Sequence, residues 1–205
     1  MSDNTKHIHP IFSKMIQRNE KETLLHQNAI CIWMTGLSGS GKSTIAQGLE
    51  QKLHKEGFMT AILDGDNVRT GINKNLSFSE EDRLENIRRI AEVNKLFLSN
   101  GIITINSFVS PTNDIRTLAK NIIGEQDFFE VYVNASFDEC AKRDVKGLYQ
   151  KALNGEIKNF TGLDAPFEAP ENPSLEIVTT NQSIEESVAC IYNFMLPKIT
   201  YSTEK

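Results

Sequence analysis

The sequence predicts an α/β fold, a parallel sheet with helices on both faces, and three observations lead to it. Short apolar runs rich in Val, Ile and Phe recur along the chain from Ala29 onward. Segments with apolar residues three or four apart fill most of the gaps between those runs. Strand and helix therefore alternate, and an intervening helix lets successive strands run parallel. One domain is expected, because 205 residues suffice for one α/β core and not for two ordinary domains.

Residues 1–27 are polar and carry no repeat, so they are read as an N-terminal extension to a domain over 28–205. His7 and His9, with no Cys or further His nearby, read as surface residues. The first strand is expected at 29–34, followed by a helix carrying Ile45, Leu49 and Leu53 on one face. A second strand is expected at 60–63. Ser79 is placed to cap the next helix, where Leu84, Ile87 and Ala91 share a face and Asn100-Gly101 ends the run. Further strands are expected at 102–108, 129–133 and 175–178, and all five read as buried on both faces. Ser183 and Glu186 form a capping box ahead of a last helix carrying Val188, Ile191 and Met195. The stretch 144–173, rich in Lys, Gly and Pro without a clean period, reads as a long mobile loop or lid.

Composition narrows the class. With 39% hydrophobic and 24% charged residues the chain is an ordinary globular one. A net charge of −5 argues against a nucleic-acid or anionic-membrane partner, so an anionic substrate must be held by local basic groups. The longest apolar run, 29–34, is too short to cross a bilayer, and the N-terminus lacks a signal-peptide core. Cys31, Cys140 and Cys190 form no C-x-x-C pair and read as core fillers in a reducing compartment, the cytoplasm.

The chemistry begins with Gly36-Leu37-Ser38-Gly39-Ser40-Gly41-Lys42-Ser43-Thr44, which fits G-x-x-x-x-G-K-[ST] throughout and lies between a strand and a helix. Its glycines let backbone N–H groups surround phosphate oxygens, and the following helix adds its positive end. Lys42 is suited to the β- and γ-phosphates and the Ser43 hydroxyl to Mg²⁺. The fold is accordingly of the P-loop NTPase type, with ATP and Mg²⁺ implied.

The second strand ends in Asp64-Gly65-Asp66, at the edge where α/β ligands bind. One carboxylate can hold Mg²⁺ through waters, and the other can orient or deprotonate an attacking hydroxyl. A solvated turn is the plain alternative. Arg83 and Asn86, three apart, share a helix face and could hold one anion. Arg89 reads as an intrahelical ion-pair partner, and Arg88 stays open.

Several blocks together resemble adenylylsulfate (APS) kinase. They are 36–44, 63–69, Phe78-Ser-x-x-Asp-Arg83-x-Glu-Asn86-Ile-Arg-Arg89, Phe108-x-Ser110-Pro111, Lys146-Gly-Leu-Tyr149, Lys158-Asn-Phe160-Thr-Gly162 and Ala169-Pro-Glu-Asn-Pro173. The resemblance implies transfer of the ATP γ-phosphoryl group to the ribose 3′-hydroxyl of APS. It implies Arg69, Arg83 and Asn86 on the phosphosulfate, and Phe78 and Phe160 on either side of the APS adenine. It further implies Asp64 and Asp66 at Mg²⁺ and the 3′-hydroxyl, Lys146 in the lid, and a homodimer. Thr70, Thr112-Asn113 and Val145 depart from the family pattern, which leaves no basic residue at 113.

The family has been assigned a phosphoserine intermediate at the serine matching Ser110, which makes Ser110 a catalytic candidate. The residues around it favour a turn serine before Pro111, because no His is near and both aspartates already have roles. Two rival functions remain at this stage, another small-molecule P-loop kinase and a non-catalytic nucleotide-binding module. The paired phenylalanines argue against the first, and intact Lys42, Ser43, Asp64 and Asp66 against the second.

Overall fold

Five strands, β1 (Cys31–Thr35), β2 (Thr60–Asp64), β3 (Ile103–Ser107), β4 (Phe128–Asn134) and β5 (Leu175–Val178), form one parallel sheet in the order β2-β3-β1-β4-β5. This is seen in a computed structural model that describes residues 7–202. The central strand β1 pairs on both sides, with Cys31 opposite Thr104 of β3 and Phe128 of β4. Its side chains alternate. Ile32 and Met34 enter one core cluster with Ile45, Leu49 and Leu53 of α2 (Lys42–Lys55) and Val188, Ile191 and Met195 of α8 (Ile184–Ile199). Cys31 and Trp33 enter another with Ile87, Ile90 and Ala91 of α4 (Glu80–Leu98) and Ile115, Ala119 and Ile123 of α5 (Asn113–Ile123). The expected layering of helices on both faces is therefore present. Trp33 lies between Phe108 and Phe128, with ring centroids 5.4 and 5.6 Å away.

The local signals behave as read. The Ser79 side chain accepts the Asp82 N–H at the start of α4, and Ser183 and Glu186 complete the capping box of α8. Three expectations need correction. Only β1 and β3 are buried on both faces, because β2 and β5 are the sheet edges and β4 alternates. Leu84 is 45% exposed, and the buried face of α4 runs instead through Asn86, Ile87, Ile90, Ala91, Asn94 and Leu98. The stretch 144–173 contains a helix, α7 (Leu148–Leu153), whose Tyr149 and Ala152 join Leu37, Ala135, Cys140 and Phe160 in a third apolar cluster.

The polar extension also gains structure. Helix α1 (Arg18–Leu25) is tied to the domain by Arg18, which donates to both carboxylate oxygens of Asp127 at 2.6 and 2.9 Å. Gln27 is fully buried. Its amide nitrogen donates to the carbonyls of Met59 (3.0 Å) and Gly101 (2.7 Å), and its amide oxygen accepts the Met59 N–H at 2.7 Å. It thus joins the chain ahead of β1 to the starts of β2 and β3.

Gln27→Ala removes all three bonds and strands three backbone groups, which should cost about 2–4 kcal/mol. Urea unfolding should show a lower midpoint at constant m. An unchanged midpoint would mean that residue 27 does not fasten the extension.

Candidate active site

The phosphate loop leaves the sheet at the end of β1, its central strand. Gly36 comes first, at φ +149°, and a Cβ there would lie 2.4 Å from the Val133 carbonyl oxygen of β4. Only a residue without a side chain lets the loop pass that close. Lys42 then opens α2 and folds its ammonium back into the loop, donating to the carbonyls of Gly36 (2.8 Å) and Leu37 (2.7 Å) and reaching the Ser40 hydroxyl at 3.5 Å. It is 7% exposed. Burial is the main cause that lowers its pKa to about 8, and the nearby Lys146 charge adds to the effect.

The loop is braced from outside. The Tyr149 hydroxyl donates to the Ser38 carbonyl at 2.7 Å. Arg143, at the end of α6 (Phe137–Arg143), donates to the carbonyls of Gly39 and Ser40 at 3.4 Å each and to the Thr179 hydroxyl and carbonyl at 3.0 and 2.9 Å. Thr179 itself donates to the Ser40 carbonyl at 3.0 Å. Sequence reasoning gave none of these three residues a role. Thr179 directly follows β5, at the ligand-binding edge of the sheet, and that was the available signal.

The next residue joins the loop to the acceptor edge. Ser43 donates its hydroxyl proton to Asp64 Oδ2 at 2.7 Å and lies 3.2 Å from the Ser107 hydroxyl. The other Asp64 oxygen accepts the Asp66 N–H at 3.0 Å, capping α3 (Gly65–Thr70). Lys146 forms an ion pair with the Asp66 carboxylate, bridging the two sides of the site through well-exposed side chains. Among the described residues no group of three or more His, Cys, Asp or Glu could hold a metal. One hydroxyl and one carboxylate suit a hard ion that keeps most of its shell as water and phosphate oxygen, as Mg²⁺ does.

On the far side stand two guanidinium groups. Arg69 lies over the Phe78 ring, 4.4 Å from its centroid, and donates to the carbonyls of Leu76 (3.2 Å) and Ser77 (2.9 Å). Arg83 donates to the carbonyls of Phe78 (2.9 Å) and Asn159 (2.6 Å) and to the Thr161 hydroxyl (2.9 Å). Burial weakens the hold of both on their protons, and for Arg69 the charge of Arg83 weakens it further. Two partly buried cations that repel one another favour an anion between them.

Arg83 also connects the segments bearing Phe78 and Phe160. Phe78 is 63% exposed, whereas Phe160 is 9% exposed and packs on Tyr149 with centroids 4.9 Å apart at 78°. Asn86 is turned inward, its amide oxygen accepting from Asn73 at 3.0 Å, so it is not presented beside Arg83. Arg88 and Arg89 both pair with Glu85 on their own helix.

Ser110 follows Val109, whose carbonyl accepts the Gly36 N–H at 3.4 Å at the start of the phosphate loop. It has φ +43°, is buried, and its hydroxyl oxygen accepts the Trp33 indole N–H at 3.1 Å. Trp33 belongs to the cluster under α4 and α5, on the sheet face opposite α2. The Ser110 carbonyl accepts from Arg116 at 2.8 Å and from Thr35 at 3.3 Å.

A family model described as adenylylsulphate kinase matches residues 28–178. The chain is 61% identical over 197 residues to the adenylyl-sulfate kinase of Bacteroides thetaiotaomicron, covering 96% of this chain and 98% of that one. It is 60% identical over 198 residues to the adenylyl-sulfate kinase of Bacteroides fragilis strain YCH46, covering 97% and 98%. Among solved structures it resembles the Mycobacterium tuberculosis APS kinase CysC in complex with AMPPNP and APS. The TM-score is 0.80 at 41% identity, over 82% of this chain and 98% of that one.

The lowered pKa of Lys42 makes a prediction about pH. In the free protein Lys42 loses its proton near pH 8, and bound phosphates favour the protonated form. Between the free and bound pKa values the complex therefore carries a proton that the free protein lacks. Affinity for a nucleoside triphosphate should fall about tenfold per pH unit above that point. Calorimetric titration of AMPPNP near pH 9, in buffers of different ionisation enthalpy, should show uptake approaching one proton. Lys42→Arg, which stays charged, should abolish that uptake. Affinity flat through this range would contradict the assignment.

Proposed function

The chain belongs to the adenylylsulphate kinase family, ATP-dependent kinases of adenylylsulfate, and we propose that it performs the transfer with the residues gathered at the C-terminal edge of its sheet. The phosphate loop, Gly36 to Thr44, holds ATP. Lys42 meets the β- and γ-phosphates, where its charge offsets negative charge redistributed in the transition state. Ser43 and Asp64 hold Mg²⁺, which when bound neutralises phosphate charge. Arg69 and Arg83 take the phosphosulfate of APS, with Asn86 set behind them. Phe78 and Phe160 border its adenine, and Lys146 belongs to a lid formed by 144–173.

Asp66 receives the proton of the APS 3′-hydroxyl as that oxygen bonds to the γ-phosphorus and ADP leaves with the bridging oxygen. The product is 3′-phosphoadenylylsulfate. Ser110 holds the turn against Trp33 and Arg116 and is not the nucleophile, because transfer on a phosphate loop rests on positioning and charge stabilisation, which one step supplies. The observation that carries this reading is the 2.7 Å bond from Ser43 to Asp64, which joins the ATP loop to the acceptor edge. No described helix is long and apolar enough to cross a membrane. A cytoplasmic homodimer belongs to the same proposal.

The test is acceptor choice. ADP release with ATP plus APS should far exceed release with AMP, shikimate or gluconate, because those acceptors lack either the adenine or the phosphosulfate that the two phenylalanines and two arginines would hold. Comparable turnover of any of the three would sink the assignment.

A further inference from the structure

Tyr149 is 2% exposed, and it touches both halves of the site. Its hydroxyl donates to the Ser38 carbonyl of the phosphate loop at 2.7 Å. Its ring meets Phe160 edge-on at 4.9 Å and Phe137 at 5.2 Å. Burial pushes the phenol pKa up, so the group keeps its proton and remains a donor.

The bond to Ser38 has a geometric consequence. In a planar trans peptide the carbonyl and the following N–H point in opposite directions. Drawing the Ser38 carbonyl outward toward Tyr149 therefore aims the Gly39 N–H toward the other side, into the cradle. Gly39 is at φ +77°, a conformation with little cost for glycine, and a Cβ there would lie 3.1 Å from the Cys140 carbonyl oxygen. Neither feature alone fixes the Ser38–Gly39 peptide plane, and the Tyr149 hydroxyl is the side-chain donor to its carbonyl. The ring has a separate duty. Phe160 is held from behind by Tyr149, while the adjoining residues Asn159 and Thr161 accept from Arg83.

We propose that Tyr149 is a positioning residue that couples the two nucleotide sites, its hydroxyl setting the Ser38–Gly39 peptide for ATP and its ring setting Phe160 for APS. The idea rests on the reading of Phe160 as an APS contact and of the loop as the ATP cradle. Substrate order or lid closure would pass in part through this side chain because Tyr149 of α7 touches both the phosphate loop and Phe160.

Three variants test it by steady-state kinetics in both substrates, with AMPPNP binding measured by calorimetry. Tyr149→Phe removes the hydroxyl alone. It should raise the KM for ATP and the Kd for AMPPNP about tenfold, the loss expected when the Gly39 N–H is no longer aimed at a charged phosphate oxygen, with the KM for APS within about twofold of wild type. Tyr149→Leu, which also removes the ring, should raise both KM values. Phe160→Ala should raise the KM for APS alone.

A tyrosine that served only to fill the cluster would, on losing its hydroxyl alone, shift both substrates in proportion or neither. If Tyr149→Phe leaves AMPPNP affinity unchanged, or moves ATP and APS equally, the coupling is overturned. If Phe160→Ala leaves the KM for APS unchanged, the reading of Phe160 fails and the APS half of the coupling falls with it. In that case the ATP half still stands or falls on Tyr149→Phe. Should Tyr149→Leu not fold because of the cavity it opens, calorimetry on the folded Tyr149→Phe protein decides.

Discussion

The Lys42 ammonium is held 2.8 and 2.7 Å from the carbonyls of Gly36 and Leu37, nearly out of water, and its pKa is drawn down to about 8. A buried cation of that kind is tolerated only where carbonyl dipoles surround it. The loop that supplies them has one way to form. It must leave the central strand beside Val133, which excludes a side chain at 36, and turn through Gly41 into α2. Once Lys42 is placed, Ser43 is placed too, and its hydroxyl meets Asp64 on the neighbouring part of the sheet edge. The acceptor side is thus registered to the phosphate side through one bond, with Asp66 two residues further on. Phosphate entering the cradle would replace the two carbonyls as the partner of Lys42 and relieve the cost of its burial.

Charge is distributed to match. The chain as a whole is negative, at −5, yet Lys42, Arg69, Arg83 and Lys146 converge on the site. Burial, and after it the charge of Arg83, weakens the hold of Arg69 on its proton, and an anionic substrate would offset both. The Lys146–Asp66 pair is exposed and contributes little to stability. It is therefore easily exchanged for contacts to substrate, which suits a residue assigned to a lid.

Much of this was legible because it is local. The phosphate loop, the Ser79 and Ser183 caps, the strand runs and the intrahelical pairing of Arg89 each depend on residues a few positions apart. The parts that were not legible depend on distant partners. Tyr149 and Ser38 are 111 residues apart, and Arg143 and Gly39 are 104 apart. Asn86 shares the helical spacing of Arg83, but its burial against Asn73 is decided by how the turn after α3 folds over α4. Leu84 fits a helical stripe by spacing, yet that part of α4 lies outside the cluster beneath Trp33. Burial on both faces was over-extended to β2, β4 and β5 because strand order, which makes β2 and β5 edges, is not written in any strand's own residues. Helix α7 was missed because six residues are too few to show a period.

The central claim is that the γ-phosphoryl group passes directly from the Lys42 cradle to the acceptor, with Ser110 kept in a structural turn by Trp33 and Arg116. The stereochemical course of the reaction tests it most directly. With ATP made chiral at the γ-phosphorus, one in-line displacement gives inversion, and Ser110→Ala should retain more activity than Asp66→Ala. Net retention of configuration, with phosphate recovered on Ser110 from a quenched reaction, would contradict the account.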